Sequence, residues 1–209
     1  MAENARYACY PVTLKGMPAA GDAAWDKAPA GELLEVESGQ RPFLYTEFRI
    51  LRDDRAGMIY VRFVAEDDCL HSTYRMNDEP LYTQDVFELF LADTGTLSAY
   101  HEIEVSPFDV IFTGDIHYTP QGERVLNMDW DAAGMKTLTR HDRAANRTEA
   151  VWQLPYAAFA AAPKAGDAWR FNVFRVDHSP RGVELQAWQA TGVRNFHVPE
   201  RFGWLDFIA

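Results

Sequence analysis

Three glutamates are the residues whose types and spacing could do chemistry in this chain. Glu88 lies in the apolar run Val86–Leu91, where strand alternation places its side chain on the same face as Val86 and Phe90. A carboxylate among apolar neighbours is buried or lines a groove, and it then needs a partner or water. The pattern therefore predicts Glu88 as a candidate binding or acid-base group.

Glu102 and Glu104 follow on the next candidate strand, Tyr100–Val105, where alternation places both side chains on one face with Tyr100. One interpretation is a solvated polar face balanced by arginines. The candidate counter-ions are Arg49, Arg62 and Arg175. A second interpretation is a glycoside hydrolase that uses Glu88 with Glu102 or Glu104, because such enzymes need two carboxyl groups roughly 5 to 9.5 Å apart.

Two aromatic residues lie in polar surroundings and are candidates for the rim of a binding site. Tyr82 lies in the polar segment Asn77–Asp85, and Trp188 is flanked by Gln186 and Gln189. Aromatic faces give sugars a large contact area, since pyranose C–H groups stack on rings. Both residues are therefore predicted to be exposed and available to a ligand.

Composition and motifs exclude several other kinds of function. The chain carries 20 Lys and Arg against 31 Asp and Glu, a net charge of −11, which disfavours nucleic acid and membrane surfaces as partners. It contains no GxSxG elbow, no CxxC pair, no paired histidines and no glycine-rich phosphate loop. Met1–Tyr10 lacks the continuous apolar segment of a secretory leader, and the compartment stays open.

Period-two patterns dominate the elements that must position these side chains. A hairpin is predicted with strands around Glu47–Leu51 and Met58–Ala65, and the one helical stretch is Tyr156–Ala162. Further predicted strands are Val86–Leu91, Tyr100–Val105, Asp109–Phe112, Arg147–Leu154, Trp169–Val176 and Val183–Ala190. So little helix cannot supply the crossovers between parallel strands. The sequence therefore predicts an all-β fold, an antiparallel two-sheet, jelly-roll-like β-sandwich with one or two short helices, in a single domain over 1–209.

Several segments, in this order, resemble the family 9 carbohydrate-binding modules and their wider DOMON-like superfamily. The segments are Gly21–Ala28, Gln84–Leu91, Tyr100–Pro107, Trp152–Phe159, Gly166–Arg175 and Phe196–Phe207. The resemblance implies a non-catalytic β-sandwich that binds a mono- or oligosaccharide, often beside glycoside hydrolases in polysaccharide breakdown. By position, Tyr82 and Trp188 match two aromatic platforms that clamp one sugar, and Glu88 matches an acid that hydrogen-bonds its hydroxyls. Glu102 and Glu104 on the next strand are further candidates for the sugar-binding site.

The resemblance also bears on cofactors and partners. No cofactor is required, although structural calcium occurs in the family, and the oligomeric state stays open. Some members of the superfamily hold b-type haem between Met and His, so an electron-transfer domain is the alternative function. Its haem ligands would be Met76 with His178 or His197.

Overall fold

The computed structural model describes residues 4–209. The predicted domain over 1–209 and the N-terminal segment Met1–Tyr10 both include residues 1–3, which lie outside the described residues. The chain is almost entirely β-structure with short 3₁₀ turns. The strands are β1 (Arg6–Pro11), β2 (Gly31–Glu32), β3 (Leu34–Glu35), β4 (Thr46–Asp53), β5 (Met58–Glu66), β6 (Val86–Ala92), β7 (Ala99–Val105), β8 (Ile111–Tyr118), β9 (Arg124–Asn127), β10 (Lys136–Asp142), β11 (Arg147–Pro155), β12 (Ala168–Ser179), β13 (Gly182–Ala187) and β14 (Gly203–Phe207). Within residues 4–209, no helix is long and apolar enough to cross a membrane.

The strands form two layers that share strand β1. In one layer the order is β1-β14-β12-β6-β7-β8-β9, with β13 paired to the second half of β12 and β3 paired to β13. In the other layer the order is β10-β11-β5-β4, with β2 on β4. Strand β1 runs parallel to β14 and then, at Tyr10 and Pro11, parallel to β4. The other pairings described are antiparallel, and the predicted antiparallel sandwich is confirmed.

The main core fills the space between the layers, because alternate residues of each strand point inward. Phe63 of β5 stacks on Phe87 of β6 with ring centroids 4.6 Å apart, which joins one layer to the other. Trp169, Phe171 and Val173 of β12 belong to this core, as their alternation predicts. Alternation along β12 therefore places these three side chains between the layers.

The predicted strands correspond to observed strands with small shifts at their ends. The predicted strand Asp109–Phe112 instead begins at Ile111 and continues to Tyr118, because Asp109 has a φ of 60° and belongs to the preceding turn. The predicted helix over Tyr156–Ala162 is a 3₁₀ turn of three residues, Tyr156–Ala158. Periodicity does not predict strands β1, β2, β3, β9, β10 and β14.

A second apolar cluster covers the outer face of the layer that contains β6, β7, β8, β12 and β13. The inward-facing residues of β6 belong to the main core, so Val86, Glu88 and Phe90 point to this outer face. The loop after β13 packs over the same face through Phe196, whose ring stacks on Phe174 at 4.4 Å. The loop after β13 therefore covers part of the outer face, and a cavity lies between this loop and the sheet.

Candidate functional site

A cavity of about 350 Å³ opens on this outer sheet face. Strands, a 3₁₀ turn and the loop after β13 all contribute to its lining. The lining residues are Tyr82, Glu88, Glu102, Phe112, Ile116, Arg124, Leu126, Val176, Leu185, Arg194, Asn195, Phe196 and His197. Apolar walls with a few polar groups, in a volume of this size, are typical of a small-molecule site.

Glu88 and Glu102 line the cavity, and Glu104 lies beside them on the same sheet face. Glu88 of β6 lies directly opposite Glu104 of β7, and Glu102 follows two residues away on the same face. One carboxylate oxygen of each residue lies within 4.8 Å of the other two. The three residues are at most 5% exposed. Like charges directly opposite one another destabilise a sheet, so this arrangement is costly if the carboxyls ionise.

Few partners compensate these carboxyls. Among residues 4–209, Glu88 Oε1 and both carboxylate oxygens of Glu104 make no hydrogen bond of normal geometry, although Glu104 lies near Glu102 and the backbone N–H of Tyr82. Glu102 Oε1 lies 3.8 Å from Nε2 of His197. A buried carboxyl without a cation favours its neutral form.

Burial therefore raises the pKa values of all three glutamates. Burial and the neighbouring Glu102 raise the pKa of Glu88 well above its ordinary range. Burial, with Glu88 and Glu102 adding to it, does the same to the pKa of Glu104. The pKa of Glu102 rises to about 7 through burial, opposed by its close contact with the Glu104 carboxyl and by the charge of Arg124. At neutral pH Glu88 and Glu104 therefore favour their protonated forms, which both donate and accept hydrogen bonds, whereas Glu102, with a pKa of about 7, is divided between its charged and neutral forms.

The interpretation of Glu102 and Glu104 as a solvated face is wrong, because both side chains are buried. The candidate counter-ions are also used elsewhere. Arg49 and Arg62 pair with Glu47, and Arg62 Nη2 lies 2.6 Å from a Glu47 oxygen. Arg175 pairs with Asp177 at 2.5 Å and also contacts Asp67, at the interior between the layers. These arginines lie on other faces, so they do not neutralise the glutamates.

Tyr82 lies at the edge of the cavity, as its polar surroundings predict. It is 52% exposed, it belongs to the 3₁₀ turn Leu81–Thr83, and its ring meets Phe112 edge-on at 6.3 Å. In the loop after β13, His197 Nδ1 lies 2.8 Å from the Tyr100 hydroxyl oxygen. The His197 ring stacks on the Phe90 ring, with centroids 5.0 Å apart. The cavity therefore has an exposed aromatic ring on one side and a fixed imidazole on the other.

Trp188 does not line this cavity, which corrects the predicted pairing of Tyr82 and Trp188 as two platforms. Its half-buried ring packs on the face toward the main core, 4.5 Å from Phe171 and 5.9 Å from Phe48. Gly203 makes room for it, since a Cβ there would lie 2.4 Å from a Trp188 ring carbon. The two rings lie on opposite faces of one sheet, so they cannot hold one sugar between them.

The haem ligands proposed as an alternative are not brought together in this cavity. Met76 is 69% exposed in the segment before β6 and is not among the lining residues. His178 Nδ1 lies 3.0 Å from Asp85 Oδ1, and both nitrogens of His197 face protein partners. These residues do not fit a b-type haem held by Met and His.

The three glutamates are the one group of acidic, histidine or cysteine side chains within residues 4–209 whose spacing suits a metal ion. Calcium binds oxygens at roughly 2.3 to 2.6 Å, so oxygens within 4.8 Å of one another can share one ion. A cation would have to displace the protons that the buried carboxyls hold. The same oxygens cannot hold a calcium ion and remain free for another ligand.

Periodicity did not indicate the residues that come from β9 and from the loop after β13. Arg194, Asn195, Phe196 and His197 lie in irregular backbone, where no face can be assigned from spacing. In the sequence, Phe196 and His197 belong to the resembling segment Phe196–Phe207, and His197 is in addition a candidate haem ligand. Leu126 folds over Gly114 of β8, where a Cβ would lie 2.5 Å from its Cδ1.

This two-layer sandwich, with a walled cavity on an outer sheet face, has the architecture of a carbohydrate-binding module. The chain belongs to the carbohydrate family 9 binding domain-like family, whose sequence model matches residues 18–208. No curated protein sequence matches the chain.

Solved structures show the same fold at low sequence identity. A putative carbohydrate-binding protein from Bacteroides uniformis ATCC 8492 is 13% identical, with a TM-score of 0.75 over 98% of this chain and 100% of that chain. A family 9 carbohydrate-binding module from Caldicellulosiruptor kristjanssonii in complex with cellotriose is 13% identical, with a TM-score of 0.66 over 98% and 94%. The same organism's module in complex with glucose is 15% identical, with a TM-score of 0.65 over 97% and 95%.

Proposed function

We propose that this chain is a non-catalytic carbohydrate-binding domain and that its sugar binds in the cavity between Tyr82 and His197. The observation that carries the proposal is the combination, in one cavity of about 350 Å³, of an exposed aromatic ring and buried hydrogen-bonding carboxyls. A hexose ring needs an apolar surface for its C–H groups and polar groups for its hydroxyls. The glucose and cellotriose bound by similar structures support sugars as the ligand class, and we propose polysaccharide breakdown as the setting in which the domain acts.

Each part of the cavity has a distinct role in this proposal. Tyr82 supplies the stacking surface, because it is the exposed ring at the mouth. Glu88 binds hydroxyls from below as a protonated acid, which donates one hydrogen bond and accepts others, and Glu102 accepts hydrogen bonds from hydroxyls in either protonation state. His197 is held in place by Tyr100 and Phe90, so it offers a pre-positioned edge on the opposite side.

The arrangement of the carboxyls supports binding rather than hydrolysis. A glycosidase places its two carboxyl groups on either side of the scissile bond, about 5 Å apart or more. Here the three carboxyls lie side by side on one sheet face, within 4.8 Å of one another. They therefore approach a sugar from one side only, and we expect no turnover of an aryl glycoside.

The test is a calorimetric titration of the purified chain with glucose, cellobiose and xylobiose. Tyr82→Ala should weaken binding of the sugar that binds best by about tenfold, the loss expected for a residue that matters in an interface. Tyr10→Ala is the matched control, because Tyr10 is also exposed, at 38%, but lies on β1 away from the cavity. Equal affinities for the two variants would contradict this site.

A pair of substitutions at Glu88 tests its protonation as well as its role. Gln, like a protonated acid, donates and accepts hydrogen bonds, so Glu88→Gln should keep most of the affinity at neutral pH. Glu88→Leu removes both capabilities and should weaken binding by about tenfold or more. A Glu88→Gln variant as weak as Glu88→Leu would mean that a charged carboxylate binds the sugar.

A further inference from the structure

We propose that the sugar bound in this cavity carries an anionic substituent, in the first instance a uronic acid carboxylate, held at the cavity mouth by Arg124 and Arg194. The inference rests on the proposed sugar-binding function of the same cavity and names the class of sugar. Both arginines are lining residues of the cavity. Both are exposed, so their guanidinium groups can reach a ligand that sits above Glu88 and Glu102.

Arg124 is directed to the cavity by the pairing of β8 and β9. It lies opposite Tyr118, and Leu126 lies opposite Ile116, so alternate residues of β9 face the cavity. Within the described part of the chain, Arg124 forms no ion pair or hydrogen bond of its own. Its charge acts on the buried Glu102, where it lowers a pKa that burial raises to about 7.

Arg194 reaches the cavity from the loop after β13. Its one hydrogen bond among residues 4–209 is a long one, 3.4 Å from Nη2 to the Val183 carbonyl oxygen. Its charge also acts on Glu35, but the two side chains form no ion pair. Most of its donors are therefore free, and a guanidinium with free donors is well matched to both oxygens of a carboxylate.

The charge at the cavity is opposite to that of the whole molecule. The chain has a net charge of −11, yet the mouth of this cavity holds two arginines without an ion-pair partner in the described residues. The acidic groups beneath them, Glu88, Glu102 and Glu104, are buried and have raised pKa values, and Glu35 feels the charge of Arg194 without forming an ion pair with it. His197 is the remaining titratable group on the loop side, and it adds no negative charge.

This balance distinguishes an anionic sugar from a neutral one. A neutral sugar can only accept hydrogen bonds from the two guanidinium groups through its hydroxyl oxygens, with one charged partner in each bond. A carboxylate above the mouth would bring the opposite charge to both groups while the ring stacks on Tyr82 and its hydroxyls meet the buried carboxyls. Charged hydrogen bonds are roughly twice as strong as neutral ones, and they are screened by salt when exposed.

The test compares three ligands that share one ring: glucuronic acid, its methyl ester and glucose. At low salt and pH 7, glucuronate should bind at least about tenfold more tightly than the ester, which has the same shape without the charge. This ratio should fall toward one in 0.5 M NaCl, because salt screens an exposed charge pair. Glucose 6-sulfate serves as a second anionic probe, and binding as tight as that of glucuronate would extend the class from carboxylates to sulfates.

Variants assign the preference to the two arginines. Arg124→Gln and Arg194→Gln should each lower the ratio of glucuronate affinity to ester affinity, and the double variant should bring it to about one. Arg143→Gln is the matched control, because Arg143 is an exposed arginine in the turn between β10 and β11 of the other layer. The control should keep the ratio of the wild-type protein.

The possible outcomes separate this inference from the proposed function. Tight binding of neutral sugars with a glucuronate-to-ester ratio near one would overturn the anionic-sugar proposal and leave carbohydrate binding standing. A strong preference for glucuronate that survives the double variant would also overturn it, because other groups would hold the carboxylate. Binding of none of the sugars would contradict both proposals together.

Discussion

Glu102 provides the sharpest test of the buried carboxyls, because its pKa is raised to about 7 from an ordinary value of 4.5. In the folded protein Glu102 therefore binds a proton more tightly than in the unfolded chain. Its neutral form contributes stability that is fully present below about pH 4.5 and is lost as the pH rises toward 7. With about 1.36 kcal/mol for each pKa unit, the full loss is about 3 kcal/mol. Glu102 is 5% exposed, so solvent screens little of this effect.

The substitution Glu102→Gln keeps the size and polarity of the side chain but cannot ionise. Relative to the wild-type protein, we expect a stabilisation of about 1 kcal/mol at pH 5.5 and about 3 kcal/mol at pH 8.5, following the two pKa values. For a domain of this size each kcal/mol moves the Tm by about 2 to 4 °C, so the Tm advantage of the variant should grow by about 4 to 8 °C between these pH values.

Thermal denaturation at both pH values measures this difference directly. Glu123→Gln is the matched control, because Glu123 is exposed in the turn before β9, and its Tm difference from the wild-type protein should not depend on pH. The reasoning would be refuted if Glu102→Gln also kept a constant Tm difference, since Glu102 would then ionise alike in the folded and unfolded states.

Three further predictions follow from the positions of the aromatic residues and the carboxyls. Trp169→Ala should lower the stability by about 3 to 5 kcal/mol, because Trp169 is 5% exposed in the main core, and a Tm equal to that of the wild-type protein would contradict its placement. Trp188→Ala should lower the Tm but change sugar affinity by less than about twofold, since its ring packs on Phe171 away from the cavity; a tenfold loss in a titration would restore it as a platform. EDTA should leave sugar affinity unchanged, because burial raises the pKa values of the three glutamates and favours neutral forms that need no cation; a loss that calcium reverses would assign a metal to them.

Alternation along single strands was enough to predict much of the fold and part of the site. The apolar faces of β5, β6 and β12 are simple period-two patterns, and they placed Glu88 on the outer face correctly. The grouping of Glu88 with Glu104 depends on the register between β6 and β7, which one strand does not specify. The burial of Glu102 and Glu104 depends in addition on the loop after β13, which covers the face.

Trp188 shows why polar neighbours are an unreliable sign of exposure. The polar residue Gln186 beside Trp188 suggests an exposed strand, but its side chain is buried. Its amide nitrogen donates hydrogen bonds to the Leu44 carbonyl oxygen at 2.9 Å and to a Glu184 carboxylate oxygen. Because Leu185 faces the cavity opposite Val176, alternation directs Gln186 and Trp188 to the other face. The register of β13 on β12, rather than local polarity, decides the position of Trp188.

A crystal structure of the chain with a bound sugar tests the central claim most directly. The account predicts density for one sugar ring in the cavity on the outer sheet face, stacked on Tyr82 and hydrogen-bonded to Glu88 or Glu102. A sugar bound at Trp188, or at any surface outside this cavity, would contradict it.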